Sequence, residues 1–278
     1  MLTRTRHDSG SRFRIPALLV VFHLAVFSAF AANANADGDS DSDSDSEQWE
    51  QALEEVFQSD LVFPQERGEI QITLGASGFD REEGDRLQVP LTLEYGITDR
   101  FQVELEWDGY LRDRFDGDEP SADGFGDAEI GVAYSWMAIR GSGWHAAAGF
   151  ELPVELGDAP PEDDDEEEEA EEEVAPFFVL ARDLPGRPGG QVSLNGGVEI
   201  GGGETEWFGN LVGFVPIKSW VLTAEINWTE EESYFTPGIV WHPGGEWELG
   251  AGFPIGLGSE ADDWRWIATV TYEIEPRG

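Results

Sequence analysis

Carboxylates recur at every second position through much of this chain. Gln102, Glu104 and Glu106 alternate with Phe101, Val103, Leu105 and Trp107 in "FQVELEW". Glu94, Asp127, Glu129, Glu151, Glu225, Glu248 and Glu273, together with His145, occupy the polar phase of similar stretches. Acidic side chains in such numbers could act as acid and base, hold metal ions, or line a wet path that concentrates cations and disfavours anions. Acid–base work needs a partner at defined spacing, and at a formal charge of −42 paired carboxylates carry no such specificity. Nucleophilic hydrolysis would pair a histidine with a serine and an orienting acid or amide. After the first 36 residues only His145 and His242 remain, and no Ser–His signature surrounds either. The run 162–173, "EDDDEEEEAEEE", has eleven carboxylates in twelve positions but lacks the glycine-spaced geometry of a dedicated calcium loop. It reads as a solvated outer loop that would take up divalent cations loosely. The glycines 201–203 lack the lysine and helix of a phosphate loop and mark a strand-end turn. No catalytic, cofactor or metal site is expected. The lumen-lining reading of the eleven polar-phase residues is the one their spacing favours.

The alternation itself is the signal of β-strands with one wet and one apolar face. From residue 69 onward about a dozen such segments follow one another, with cores near 69–76, 87–95, 100–107, 126–136, 143–155, 175–183, 190–200, 205–216, 219–228, 233–241, 246–254 and 263–274. Segments 175–183 and 205–216 have aromatics on both faces, which leaves their orientation open. An even number of strands of roughly 9–11 residues, each with one apolar face, is what a barrel crossing a bilayer requires, since an open edge in lipid would strand unpaired backbone groups.

Three features favour such a barrel over a soluble sandwich. Trp107, Trp136, Trp144, Trp220, Trp228, Trp241, Trp247 and Trp264 lie near strand ends on the apolar phase, as in the aromatic girdles at the two headgroup levels. The polar phase mixes carboxylates with Gly, Thr, Gln and Asn, which suits a wet lumen. Connections after odd-numbered strands are acidic and often long, whereas those after even-numbered strands ("GITD", "MAIRGSG", "LPGRPG", "IK", "HPGG") are short and mostly neutral or basic. That parity is expected of outer loops and periplasmic turns with both termini periplasmic.

The N-terminus agrees with export. Arg4, Arg6, Arg12 and Arg14 precede the apolar run 17–31, too short to span a bilayer as a helix, and "NANAD" offers a small-residue cleavage site near Ala36. The expected organisation is a signal peptide over 1–36, a disordered acidic segment with a short amphipathic helix over 37–60, and the barrel over 61–278. The helix, near 47–58, would place Trp49, Leu53, Val56 and Phe57 on one face, to pack on the barrel or to plug it. Zero cysteines exclude disulfides and thiolate chemistry. The acidity excludes nucleic acid as a partner and suits a halophilic or cation-rich setting.

The blocks "LVFPQERGEIQITLGA" (61–76), "LQVPLTLEYGITDRFQVELEW" (87–107) and "GFGDAEIGVAYSW" (124–136) resemble the phenol meta-pathway degradation (MetA-pathway) family of Gram-negative outer-membrane β-barrels, over roughly residue 61 to the C-terminus. The resemblance implies a multi-pass outer-membrane location and passage of small, often hydrophobic molecules; it brings no catalytic motif. The acidic insert 156–174 and the lack of a terminal aromatic after "TYEIEPRG" depart from the usual pattern. The expectation is thus an all-β, closed antiparallel transmembrane barrel of about twelve strands. It would be a monomer and a channel or facilitator for small molecules, with membrane lipid, lipopolysaccharide and the barrel-assembly machinery as partners. Two alternatives stay open: a non-conducting surface barrel with acidic cation-binding loops, and an outer-membrane hydrolase.

Overall fold

A computed structural model describes residues 53, 56–59, 61–81, 84–115, 121–154, 156, 173–201, 204–230, 232–258 and 264–275. The chain divides into Met1–Trp49, which lies wholly outside the described residues, and a compact unit, Glu50–Gly278, that holds all of them. The expected signal peptide, the acidic segment that follows it and most of the acidic insert therefore lie outside the described residues.

The strands are β1 (Ile70–Arg81), β2 (Gly84–Thr98), β3 (Phe101–Phe115), β4 (Ala122–Gly124), β5 (Ala128–Trp136), β6 (Trp144–Val154), β7 (Ala175–Asp183), β8 (Gln191–Gly201), β9 (Glu204–Ile217), β10 (Trp220–Trp228), β11 (Ser233–Trp241), β12 (Trp247–Gly252), β13 (Ile255–Gly256) and β14 (Trp264–Ile274). Every pairing is antiparallel. Neighbours in sequence pair around the sheet, β10 joins β11, and β1 joins β14 to close it. β4 and β13 are short additions to β3 and β11, so twelve long strands form the wall. Among the described residues no helix is long and apolar enough to cross a membrane; the crossing is made by strands.

Which face is wet is decided by burial, and the pattern is the reverse of a soluble sheet. Gln71, Thr73, Thr92, Glu94, Ser135, Gln191, Ser193, Asn195, Thr223, Glu225, Thr236 and Thr271 are buried inside the wall, while Leu74, Leu93, Leu105, Ile130, Phe178, Leu194, Leu222, Ile226 and Ile239 are exposed outside it. In β10 the alternation is complete over nine residues. Water-exposed apolar patches of this extent are not tolerated by a soluble monomer, whereas an outer band in lipid requires them. Trp220 and Trp228 bracket β10; eight residues at ~3.3 Å with a tilt of roughly 40° set them about 20 Å apart along the membrane normal. Aromatic pairs lie at both levels. Trp220 stacks on Trp241 (5.7 Å) and Trp247 meets Tyr272 (4.5 Å) at the short-turn rim, and Trp107 stacks on Phe125 (5.8 Å) at the long-loop rim.

Three expectations are corrected. The first three strands are longer than the alternation indicates: β1 runs on to Arg81, β2 begins at Gly84 and β3 continues to Phe115. Beyond the apolar band both faces are wet, so hydrophobic periodicity fades while the backbone ladder persists. The segment "SGFDREEGDR" is thus mostly paired strand rather than loop. The boundary of the eleventh expected segment also shifts, because the stretch 246–254 stops at Gly252; Pro254 has no N–H to donate, and pairing resumes with β11 at β13. Finally, of the helix expected over 47–58, only Leu53, Val56, Phe57 and Gln58 are described, and none of these is helical.

The extended β2–β3 hairpin is aimed by a bulge. Register shifts between Val89 and Leu91, so that Asp108 and Gly109 stand opposite Pro90, which cannot take part as a donor. Past this point Asp113 of β3 turns inward to meet Arg86 of β2 in a two-pronged pair, Nε to Oδ1 at 2.6 Å and Nη2 to Oδ2 at 2.7 Å, with both side chains nearly buried. Asp113→Asn would take the two-pronged carboxylate away from a nearly buried guanidinium. The expected loss is about 3 kcal/mol, read as a lowered urea midpoint for unfolding from detergent micelles.

Candidate functional site

The interior of the barrel is shared between a threaded stretch of chain and a cavity. Leu53, residues 56–59 and residues 61–65 run inside the wall. Leu53 and Val56 are buried against Val212 and Phe214 of β9, Val221 of β10 and Val240 of β11, and Phe57 and Leu61 pack beside them. Val62 is buried against Ala147, Val179 and Ala181, with Phe63 alongside.

Glycines make the seat for Phe57. A Cβ at Gly238 would collide with the Phe57 ring, and one at Gly250 or Gly252 would lie 3.0 Å from it. The backbone of the threaded stretch is held by one carboxylate. Glu225, fully buried on the inner face of β10, accepts the Phe57 N–H (3.0 Å), the Gln58 N–H (3.1 Å) and the Ser59 hydroxyl (3.0 Å). Thr236 donates to Gln58 Oε1, and Asn227 donates to the Gln58 carbonyl. At the other end Glu94 is the hub. Its carboxylate accepts from Gln65, Gln71 and Gln102, and Gln102 Oε1 in turn accepts the Gln65 N–H. Charge-assisted bonds of this kind are roughly twice as strong as neutral ones, so the stretch is fastened at both ends.

The space left over is a cavity of about 360 Å³. Glu94, Gln102, Glu104, Glu106, Glu151 and Glu199 face it from the wall, Phe177, Phe208 and Asn210 complete that side, and Val56, Phe57, Gln58, Ser59, Leu61 and Phe63 close the other. Gly131 lies between Glu104 and Glu151, where a Cβ would stand 3.4 Å from Glu104 Cβ and 3.6 Å from Glu151 Cγ. Glycine at this position leaves the two carboxylates room to turn into the opening.

The eleven polar-phase residues thus fall into two groups. Glu94, Gln102, Glu104, Glu106 and Glu151 come together around the cavity, and Glu129 faces Glu106 across the β3–β5 ladder. The other five serve elsewhere. Asp127 is exposed at the long-loop rim, where it accepts the Leu156 N–H. Glu225 fastens the threaded stretch. Glu248 lies 3.2 Å from His242 at the short-turn rim. Glu273 sits with Glu246 and Glu275, their oxygens within 4.8 Å of one another and close enough to share a cation. His145 is fully buried; its Nδ1 accepts the Ala138 N–H, which leaves Nε2 to donate to Asp183 at 3.1 Å, and the Phe63 ring lies 5.0 Å away. With both nitrogens occupied, the imidazole has a structural role. Close to Glu246 and Glu275, burial raises the carboxyl of Glu69 above its usual range, against the opposing bond it accepts from the Glu66 N–H.

Alternation did not single out Glu199, Asn210, Phe177, Phe208 or the threaded stretch. In β7 and β9 adjacent aromatics point opposite ways: Phe178 and Trp207 outward, Phe177 and Phe208 inward. A sign was present, because the inward rings lie over glycines, Phe177 on Gly149 and Phe208 on Gly197.

No protein-family model and no curated protein sequence matches the chain. Solved structures do. The COG4313 outer membrane channel from Pseudomonas putida F1 is similar over 79% of this chain and 100% of its own, with a TM-score of 0.61 at 14% identity. The KdgM porin is similar over 74% of this chain and 99% of its own, with a TM-score of 0.52 at 12% identity. The fold is that of the outer-membrane β-barrels. At such identities the likeness concerns the backbone and leaves the lining residues to be judged from this chain.

Proposed function

We propose that the protein is an outer-membrane channel for small solutes that favours cations and is narrowed by its own threaded stretch around Phe57. The observation that carries this reading is the cavity beside the threaded stretch, whose wall presents Glu94, Glu104, Glu106, Glu151 and Glu199. Carboxylates grouped in a confined, low-dielectric passage raise the local concentration of cations and repel anions. The phenylalanines of the same cavity add apolar surface, which agrees with the small hydrophobic molecules implied by the resemblance to the MetA-pathway family. The two solved relatives above are named as a channel and a porin, which favours transport over hydrolysis.

In this reading the chain is exported with its signal peptide cleaved near Ala36. The short-turn rim and both termini face the periplasm, and the acidic connections face outward, among lipopolysaccharide phosphates and their divalent counterions. The protein works as a monomer, assembled by the barrel-assembly machinery. Bilayer recordings in asymmetric potassium chloride test the selectivity. Cation-selective current is expected, and Glu104→Gln combined with Glu106→Gln and Glu151→Gln should move the cation-to-anion permeability ratio several-fold toward one. Absence of current in any salt would defeat the channel reading and favour the surface-barrel alternative.

A further inference from the structure

On the outer wall, Trp144 of β6 and Arg182 of β7 are cross-strand partners, and the guanidinium lies over the indole ring at 4.9 Å. Beside them is an open groove of about 460 Å³ lined by Ile139, Ser142, Trp144 and Leu180. Leu180 belongs to the lipid-facing row of β7, and Arg182 is the next outward residue toward the short-turn rim. The groove therefore begins in the hydrocarbon band and ends under a cation at headgroup level.

The surroundings are unusual for so acidic a chain. The next turns along the same arc carry Arg187, between β7 and β8, and Lys218, between β9 and β10, both exposed. The acidic residue at this part of the rim, Asp183, faces inward, where His145 and Gln191 hold it. Among the described residues, this arc thus presents cations outward and turns its carboxylate away.

We propose that the arc from β6 to β10 is a binding site for an anionic glycerophospholipid, with one acyl chain in the Ile139–Trp144–Leu180 groove and the headgroup phosphate on Arg182. The site rests on the reading that the short-turn rim lies in a glycerophospholipid leaflet; it does not depend on conductance. Stacking on indole orients the guanidinium and keeps its edge open for two-pronged contact with phosphate. Each basic group near an anionic surface favours binding by about fivefold. Arg187 and Lys218 reinforce the preference for a headgroup with net negative charge over a zwitterionic one.

Native mass spectrometry of the full chain in detergent tests this, with phosphatidylglycerol and phosphatidylcholine of identical acyl chains added in equal amounts. Phosphatidylglycerol should be retained at least about fivefold better, with inorganic phosphate unable to compete. Arg182→Gln should weaken retention of phosphatidylglycerol and lower its preference over phosphatidylcholine several-fold, whereas Arg86→Lys at the opposite rim should leave the preference unchanged. Heat-modifiable migration verifies that each variant is folded, and Arg187→Gln with Lys218→Gln, expected to weaken the preference, serves as a second variant set. Equal retention of the two lipids by the unaltered protein, or an undiminished preference in folded Arg182→Gln, would overturn the site. Binding of lipopolysaccharide in place of phosphatidylglycerol would do the same. Selective lipid binding without current would defeat the channel reading and leave this one standing.

Discussion

Glu225→Leu is expected to raise single-channel conductance several-fold by releasing the threaded stretch around Phe57 from the lumen wall. The carboxylate receives three donors from that stretch, at 3.0, 3.1 and 3.0 Å, in a fully buried setting. Hydrogen bonds to a charged acceptor contribute more than neutral ones, and replacing the acceptor by an isobutyl group abolishes all three together. Water in the vacated lumen recovers part of the loss, which leaves about 3 kcal/mol, equivalent to roughly a hundredfold rise in the released population. The hydrophobic seat remains, so the release would be frequent rather than complete. Gly238→Val attacks that seat independently, because a Cβ there occupies the position of the Phe57 ring. Both variants should also expose the peptide bonds around Phe57 to added protease while the barrel stays resistant. Conductance and protease patterns identical to the unaltered protein in both would count against the threaded stretch as the constriction.

Val103→Arg should prevent assembly into membranes. Val103 pairs with Tyr95 and Val132 on the outer face, between the aromatic levels marked by Phe101 and Trp107. A guanidinium at mid-bilayer costs about 2–4 kcal/mol, comparable to a large part of a barrel's margin of stability. Gln102, one residue away, faces the polar interior and contacts Glu94 and the Gln65 backbone. Gln102→Arg should therefore assemble. The measurement is the fraction of heat-modifiable protein after folding into lipid vesicles. Efficient assembly of Val103→Arg together with failure of Gln102→Arg would reverse the assignment of the two faces.

Much of the wall was legible because its solvent problem is severe. In β10 and in the first part of β3, lipid on one side and water on the other impose a strict period of two, and the strand cores read from that period agree with the ladder to within a residue or two. The pattern weakened where the physical contrast did. The outer halves of β1, β2 and β3 stand clear of the apolar band, and the reversal of facing in β3 opposite Pro90 is a backbone event with no counterpart in composition. In β7 and β9 the aromatics on both faces could not be sorted until Phe177 and Phe208 were found resting on Gly149 and Gly197, glycines from neighbouring strands.

The sequence by itself determined the strand count, the closed all-β architecture and which phase of each strand is polar, since these follow from local alternation and from the need to pair every backbone group in lipid. Only the tertiary structure decided what each inward carboxylate does. Glu104, Glu106 and Glu225 look alike along the chain, yet Glu225 is spent on the Phe57 and Gln58 amides while Glu104 and Glu106 face a cavity. The difference arises because Val56 and Phe57 pack against β9 to β12 beside Glu225, while the cavity opens beside the part of the wall that carries Glu104, Glu106 and Glu151. That choice is set by contacts more than 160 positions apart in the chain, a separation at which no period of two carries information.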